Sequence, residues 1–127
     1  MSFSNLEIKS KENRKAAEIC ENSNLISSSI SRYYYSILQL IIFLLEKYNK
    51  YEQPKKGEDS HEILMQSMAK LLLDKNIGNI FAFKGDFQII KKYRKTADYL
   101  NEILIKSDVE NVKKCCDKML VYLNKLQ

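Results

Sequence analysis

The chain has 127 residues, 21 Lys and Arg against 16 Asp and Glu, a formal net charge of +5 and a pI near 9.0. A 45% apolar, 29% charged composition excludes a disordered profile, and the length fits one domain over 1–127. One proline and three glycines are too few turn residues for a sheet protein of this size, so an all-α fold is expected.

The first helix is expected over 4–21. Leu6, Ala16, Ala17, Ile19 and Cys20 form a loosely apolar side among Lys9, Lys11, Arg14 and Lys15. A polar break at 22–24 separates it from a second helix over 25–48. That helix is apolar round much of its circumference: Ile30, Tyr34, Ile37, Leu38, Ile41, Leu44 and Leu45 cover one broad side, with Tyr33, Leu40 and Phe43 beyond it. Such a helix belongs at the centre of a bundle or carries a dimer face. Residues 49–58 hold the only proline and read as a surface loop.

Asp59, with Glu62 three residues on, resembles a capping box opening a third helix that uses Ile63, Leu64, Met68, Leu71 and Leu72. The stretch 76–78 ends it. Phe81 and Phe83 are expected as core anchors in a short connection, and Gly85 as the residue before a fourth helix over 86–99. The stripe of that helix is Phe87, Ile90, Tyr93 and Ala97. Ser107 and Glu110 are expected to cap a fifth helix with the seam Val109, Val112, Cys116, Met119, Leu123 and Leu126, in steps of three and four. The expected fold is therefore an up-and-down bundle of four or five helices.

Cys20, Cys115 and Cys116 are odd in number, two of them adjacent, and His61 is the only histidine. Neither a disulfide framework nor a zinc site is expected, and no metal or cofactor. The apolar stretch 37–45 is too short to cross a bilayer of ~30 Å. No basic segment followed by an apolar run opens the chain, so no secretory signal is read and a cytoplasmic protein is expected. The unusual segment is KKYRKTADY, in which Lys91, Lys92, Arg94 and Lys95 place four cations within five residues. Arg94 and Asp98 stand one turn apart and can pair. A solvated, salt-bridged helix face is the competing reading of these charges.

The order of features resembles the HEPN superfamily of small helical-bundle proteins, in its compact single-domain branch. It consists of a serine-rich approach to a tyrosine-rich second helix (SSSISRYYYSILQLIIFLL), a Ser60-His61 pair opening the third helix, and an Arg-x-x-Ala-Asp-Tyr signature at Arg94, Ala97, Asp98 and Tyr99. An amphipathic helix closes it. The resemblance implies a bundle that dimerises and acts in RNA cleavage or nucleotide binding. Its members commonly serve toxin–antitoxin or defence systems beside a small nucleotidyltransferase. Ribonuclease members use an arginine followed after four to six residues by a histidine, without metal. Histidine moves the 2′-hydroxyl proton and arginine stabilises the developing phosphorane charge.

This chain departs at the decisive position. After Arg94 and four intervening residues stands Tyr99, and no histidine follows. A tyrosine of pKa ~10 is a poor base at neutral pH, although it can hydrogen-bond a phosphate or stack on a base. Arg94, Tyr99 and His61 are the candidate catalytic residues. Lys91, Lys92, Arg94, Lys95, Asp98 and Arg32 are the candidate nucleotide- or RNA-binding residues. Three readings stand: a non-catalytic or weakly catalytic HEPN-like binding module, an active ribonuclease toxin neutralised by a nucleotidyltransferase-type antitoxin, and a structural adaptor. A homodimer is expected in each of the first two.

Overall fold

A helix that is apolar nearly all round must be surrounded, and α2 (Ile26–Lys47) is. It packs against α1 (Asn5–Asn22), α3 (Ser60–Asp74), α4 (Ile80–Tyr99) and α5 (Lys106–Asn124), and most extensively against α1. These helices come from a computed structural model that describes residues 5–127, and no strand occurs among them. The expected helix start at residue 4 lies outside the described residues.

All seven residues assigned to the broad side of α2 are buried, and Tyr33 and Leu40 are buried with them. Full burial of one such aliphatic side chain is worth roughly 1.5–3 kcal/mol. Small polar residues let α1 lie close to α2. Ser10 Oγ donates to the Ser36 carbonyl at 2.5 Å, and Ser29 Oγ to the Ala17 carbonyl at 2.8 Å, so these buried hydroxyls are satisfied. The six-residue seam read for α5 is buried throughout, Leu126 just past the helix end included. The girth of α2, the feature that left a dimer face open, is thus used up inside the chain, and so is this seam.

Several boundaries differ from expectation. α4 begins six residues early because Asn79 caps it: its Oδ1 accepts from the Phe81 and Ala82 amides at 2.9 and 3.2 Å. Gly85 therefore lies inside the helix, at a cost of about 1 kcal/mol relative to alanine. Phe83 is a core anchor as expected, but Phe81 is 79% exposed. α5 is opened by Asp108, whose Oδ2 accepts from the Ile105 amide at 2.7 Å, and not by a Ser107–Glu110 box. Asp59 does cap α3, accepting from the Glu62 amide at 3.2 Å. Ile19 faces outward at 57% exposure, so the apolar side of α1 is narrower than read.

Three helices end alike. Asn24, Asn49 and Asn76 have φ of 59°, 56° and 56°, each just past α1, α2 and α3. The next amide reaches back five residues in each case: Leu25 to Cys20, Lys50 to Leu45 and Ile77 to Leu72. This is a Schellman closure with asparagine where glycine is usual. After Asn76 the chain turns through Gly78 at φ 64°, and a Cβ there would stand 2.5 Å from the Tyr122 ring. The turn thus seats α5 against the start of α4. Gly78→Ala should lower stability by about 1–3 kcal/mol, read as a drop in thermal unfolding midpoint. An unchanged midpoint would refute the close approach to Tyr122.

Candidate functional site

Phe87, Ile90 and Arg94 follow one another at spacings of three and four on α4, so an arginine occupies a core-facing position. Arg94 is 6% exposed. Its guanidinium carbon lies 5.0 Å from the Tyr34 ring centroid, 5.9 Å from that of Tyr35 and 5.5 Å from that of Tyr99. All three are within cation–π range. Tyr34 and Tyr35 pack edge to face at 5.3 Å, which fixes two walls of this box. The third wall is Tyr99, the last residue of α4.

Polar partners are scarce inside the box. Arg94 Nη1 stands 3.9 Å from Asp98 Oδ2, the one-turn ion pair expected from sequence, but too long for a hydrogen bond. Arg94 Nε is buried with no hydrogen-bond partner among the described residues. Burial works against the guanidinium charge, while the hydroxyl-bearing rings of Tyr35, Tyr34 and Tyr99 favour it, and the group stays ionised.

His61, 33 positions before Arg94, comes to the same cluster. Its Nδ1 shares a 2.8 Å hydrogen bond with the Tyr34 hydroxyl, and its ring packs tilted against Tyr34 at 5.7 Å. Tyr34 therefore touches His61 with its hydroxyl and Arg94 with its face. Burial lowers the His61 pKa first, and the Arg94 charge second, against the opposing pull of Asp59, so a neutral imidazole is held at pH 7. Burial also raises the Tyr34 pKa and keeps its phenol protonated. His61 sits in the first turn of α3, but its partner is this distant phenol and not a local backbone group.

The basic run is divided. Lys91, expected on the binding face, is 7% exposed, and its Nζ lies 2.7 Å from Asp59 Oδ2 and 3.4 Å from Glu62 Oε2. That ammonium ties α4 to the start of α3, because a buried charge needs its counter-charges. Lys91 is therefore corrected from a surface phosphate contact to a structural ion pair. Lys92 and Lys95 are exposed and line a shallow depression with Gln88 and Leu100. Arg32, Asp98 and Tyr99 line a different groove, about 860 Å³, together with Tyr35 and the α2 hydroxyls of Ser27, Ser28 and Ser31. Arg32 Nη1 donates to Asn13 Oδ1 at 2.9 Å, and Ser31 Oγ approaches Asp98 Oδ2 at 3.4 Å. The structure thus gathers Arg94, His61, Tyr99, Asp98 and Arg32 around Tyr34 and Tyr35, and leaves Lys92 and Lys95 to one side.

Tyr34 and Tyr35 belong to the candidate site, whereas the sequence reading of the three-tyrosine run favours core and interface roles over nucleotide stacking. Their signal was the three-tyrosine run of α2 in register with an arginine on a core-facing stripe. Comparison with protein-family models, with curated proteins and with solved structures finds no match.

Because the folded-state pKa of His61 lies below its unfolded value of 6.5, the unfolded chain binds more protons as pH falls. Stability is full above about pH 6.5 and is lost as pH drops from there through the lower folded pKa. His61 is the only histidine, and Asp59 and Glu62, with lowered pKa values, add their losses only in the more acidic carboxylate range. The unfolding midpoint should fall between pH 7 and 5, and His61→Gln should flatten that slope. An equal slope in both proteins would contradict the buried neutral imidazole.

Proposed function

We propose that the chain is a nucleotide- or RNA-binding module that takes a phosphate at Arg94, in the manner of a non-catalytic or weakly catalytic HEPN-like domain. The observation that carries this reading is a charged guanidinium, 6% exposed, with a buried Nε that has no acceptor. Buried charged donors without partners are rare in folded proteins and call for an explanation. An anionic oxygen fits, and planar bidentate geometry suits a phosphate. The adjoining groove offers what a nucleotide needs beyond its phosphate: the Tyr99 and Tyr35 rings, the serine hydroxyls of α2, and a second cation in Arg32. Tyr99, which packs on the guanidinium and lines the groove, is 73% exposed at the last position of α4.

One observation favours the second reading, an active metal-independent ribonuclease. His61 is a neutral imidazole joined to Arg94 through a single phenol ring, which supplies a base that Tyr99 cannot. Membership of a toxin–antitoxin or defence system, with a nucleotidyltransferase-type antitoxin as partner, belongs to both readings as proposals. So does the homodimer, for which light scattering should give a mass near twice 14.9 kDa.

The decisive comparison is Arg94→Met against Arg94→Lys, each followed by fluorescence anisotropy with labelled single-stranded RNA and with a labelled mononucleotide. Replacing an under-paired buried charge with an apolar side chain of similar length should leave stability unchanged or raise it. Binding should fall about tenfold or more in both variants, since a lysine cannot reproduce the planar fork. Loss of stability in Arg94→Met with binding intact would make Arg94 a structural residue and leave only an adaptor. In the same assay, Lys92→Gln with Lys95→Gln should flatten the salt dependence of RNA binding. Lys91→Gln should instead lower stability, by leaving Asp59 and Glu62 without their cation. Hydrolysis of the RNA by the wild type that is lost in both His61→Ala and Arg94→Lys would establish the ribonuclease reading.

A further inference from the structure

The link from α4 to α5 is short and unusually apolar for an irregular segment. Leu100, Ile103 and Ile105 are 53%, 94% and 59% exposed, whereas connecting segments are normally polar. The link is held at both ends: the Leu100 amide donates to the Thr96 carbonyl at 3.3 Å, and at the far end Leu104 packs on the core and the Ile105 amide is bound by Asp108. Ile103 is thereby presented to solvent by a fixed piece of backbone. It stands on the edge of a groove of about 670 Å³ between α4 and α5, whose lining includes Ile89, Tyr93, Leu104 and Cys115. Ile89 is a further outward aliphatic, at 43% exposure. Clustered exposed apolar side chains mark an interaction surface, whereas single ones do not.

The cations around this groove indicate what covers it. Lys92 from α4 and Lys114 and Lys118 from α5 line it, all exposed. Lys118 shares Asp86 at 3.2 Å, and of the two carboxylates in the lining, Asp108 is engaged in capping, which leaves Glu102. We propose that this corner is the docking face for an acidic, apolar segment of a partner protein. Its aliphatic side chains enter the groove beside Ile103, and its carboxylates meet Lys92 and Lys114. A second copy of this chain fits poorly, because a two-fold pairing of the same corner sets lysines against lysines. A nucleic acid gains nothing from Ile103, Leu100 and Ile105, which give no flat ring to stack on. A small ligand inside the groove would leave Ile103 in water.

The probe is a fluorescein-labelled amphipathic peptide with leucine on one face and glutamate on the other, compared with a twin carrying lysine in place of glutamate. The glutamate peptide should bind the full chain, and the lysine twin should not. Ile103→Ser, and separately Lys92→Glu with Lys114→Glu, should each weaken binding about tenfold or more. The double charge reversal should bind the lysine twin instead. Phe81→Ser removes another exposed apolar side chain at the opposite end of α4, roughly 30 Å away, and should change nothing. Arg94→Met should leave peptide affinity unaltered, which keeps this face separate from the phosphate site. The proposal is overturned if the glutamate peptide fails to bind, or if these substitutions leave its affinity unchanged. It is equally overturned if the corner responds only to anionic vesicles or to competing single-stranded RNA.

Discussion

Enclosure of α2 is the constraint from which the other placements follow. Its burial over most of its circumference requires neighbours on several sides, and α1, α3, α4 and α5 supply them. Once they are in place, a run of three tyrosines on α2 must be shared among them. Tyr33 turns toward α1 and Glu21, Tyr34 toward α3 and α4, and Tyr35 is left half-buried at the groove. The residues that create the candidate site are thus core residues of the bundle. An arginine on the inner stripe of α4 has aromatic faces to meet because α2 is central.

Burying that arginine runs against solvation. A guanidinium taken from water gives up strong hydration, and aromatic faces restore only about 0.5–2 kcal/mol of it per contact. A structural arginine would ordinarily be matched by a carboxylate in close bidentate contact. Asp98 is close enough to balance the charge in part, but at 3.9 Å it leaves Nε without a hydrogen-bond partner. Charge balance without donor saturation is the feature on which the proposed anion site rests.

Much of the architecture was legible because it rests on periodicity. The inner faces of α2, α3 and α5 follow from apolar residues three and four apart, and every residue of the α5 seam lies where that spacing puts it. Boundaries were less legible, because capping depends on which side chain reaches a free amide, and Asn79 and Asp108 did so in place of Gly85 and Ser107. The site was only half readable. Arg94, Asp98 and Tyr99 announce themselves as a cluster, but the run KKYRK carries no sign that Lys91 turns inward while Lys92 and Lys95 turn out. That division depends on Asp59 and Glu62, some thirty residues earlier, and a hydrophobic stripe drawn through Tyr93 hides the fact that Arg94 shares the core face. Likewise, the pairing of His61 with Tyr34 links two helices that no local spacing connects.

The protein carries its own control for the meaning of Arg94. Arg14 of α1 lies over Tyr33 just as Arg94 lies over Tyr34, each with its guanidinium carbon 5.0 Å from the ring centroid. The two tyrosines are adjacent on α2 and both are fully buried. Arg14, however, has two carboxylates, Asp117 at 2.8 Å and Glu18 at 3.9 Å. The Asp117 contact is an ion pair that lies out of line for a hydrogen bond. Arg14 keeps about a quarter of its side chain in water, against 7% for Arg94. The first arginine thus has two carboxylates and partial solvation, although its Nη1, like Arg94 Nε, lacks a hydrogen bond. The second is more deeply buried and has one distant carboxylate and a histidine held neutral beside it. If packing on a tyrosine were the whole purpose, the same bundle shows how such a cation is normally neutralised. The two sites differ by one close carboxylate and by solvation, and the anionic ligand proposed at Arg94 would take the place that Asp117 fills at Arg14.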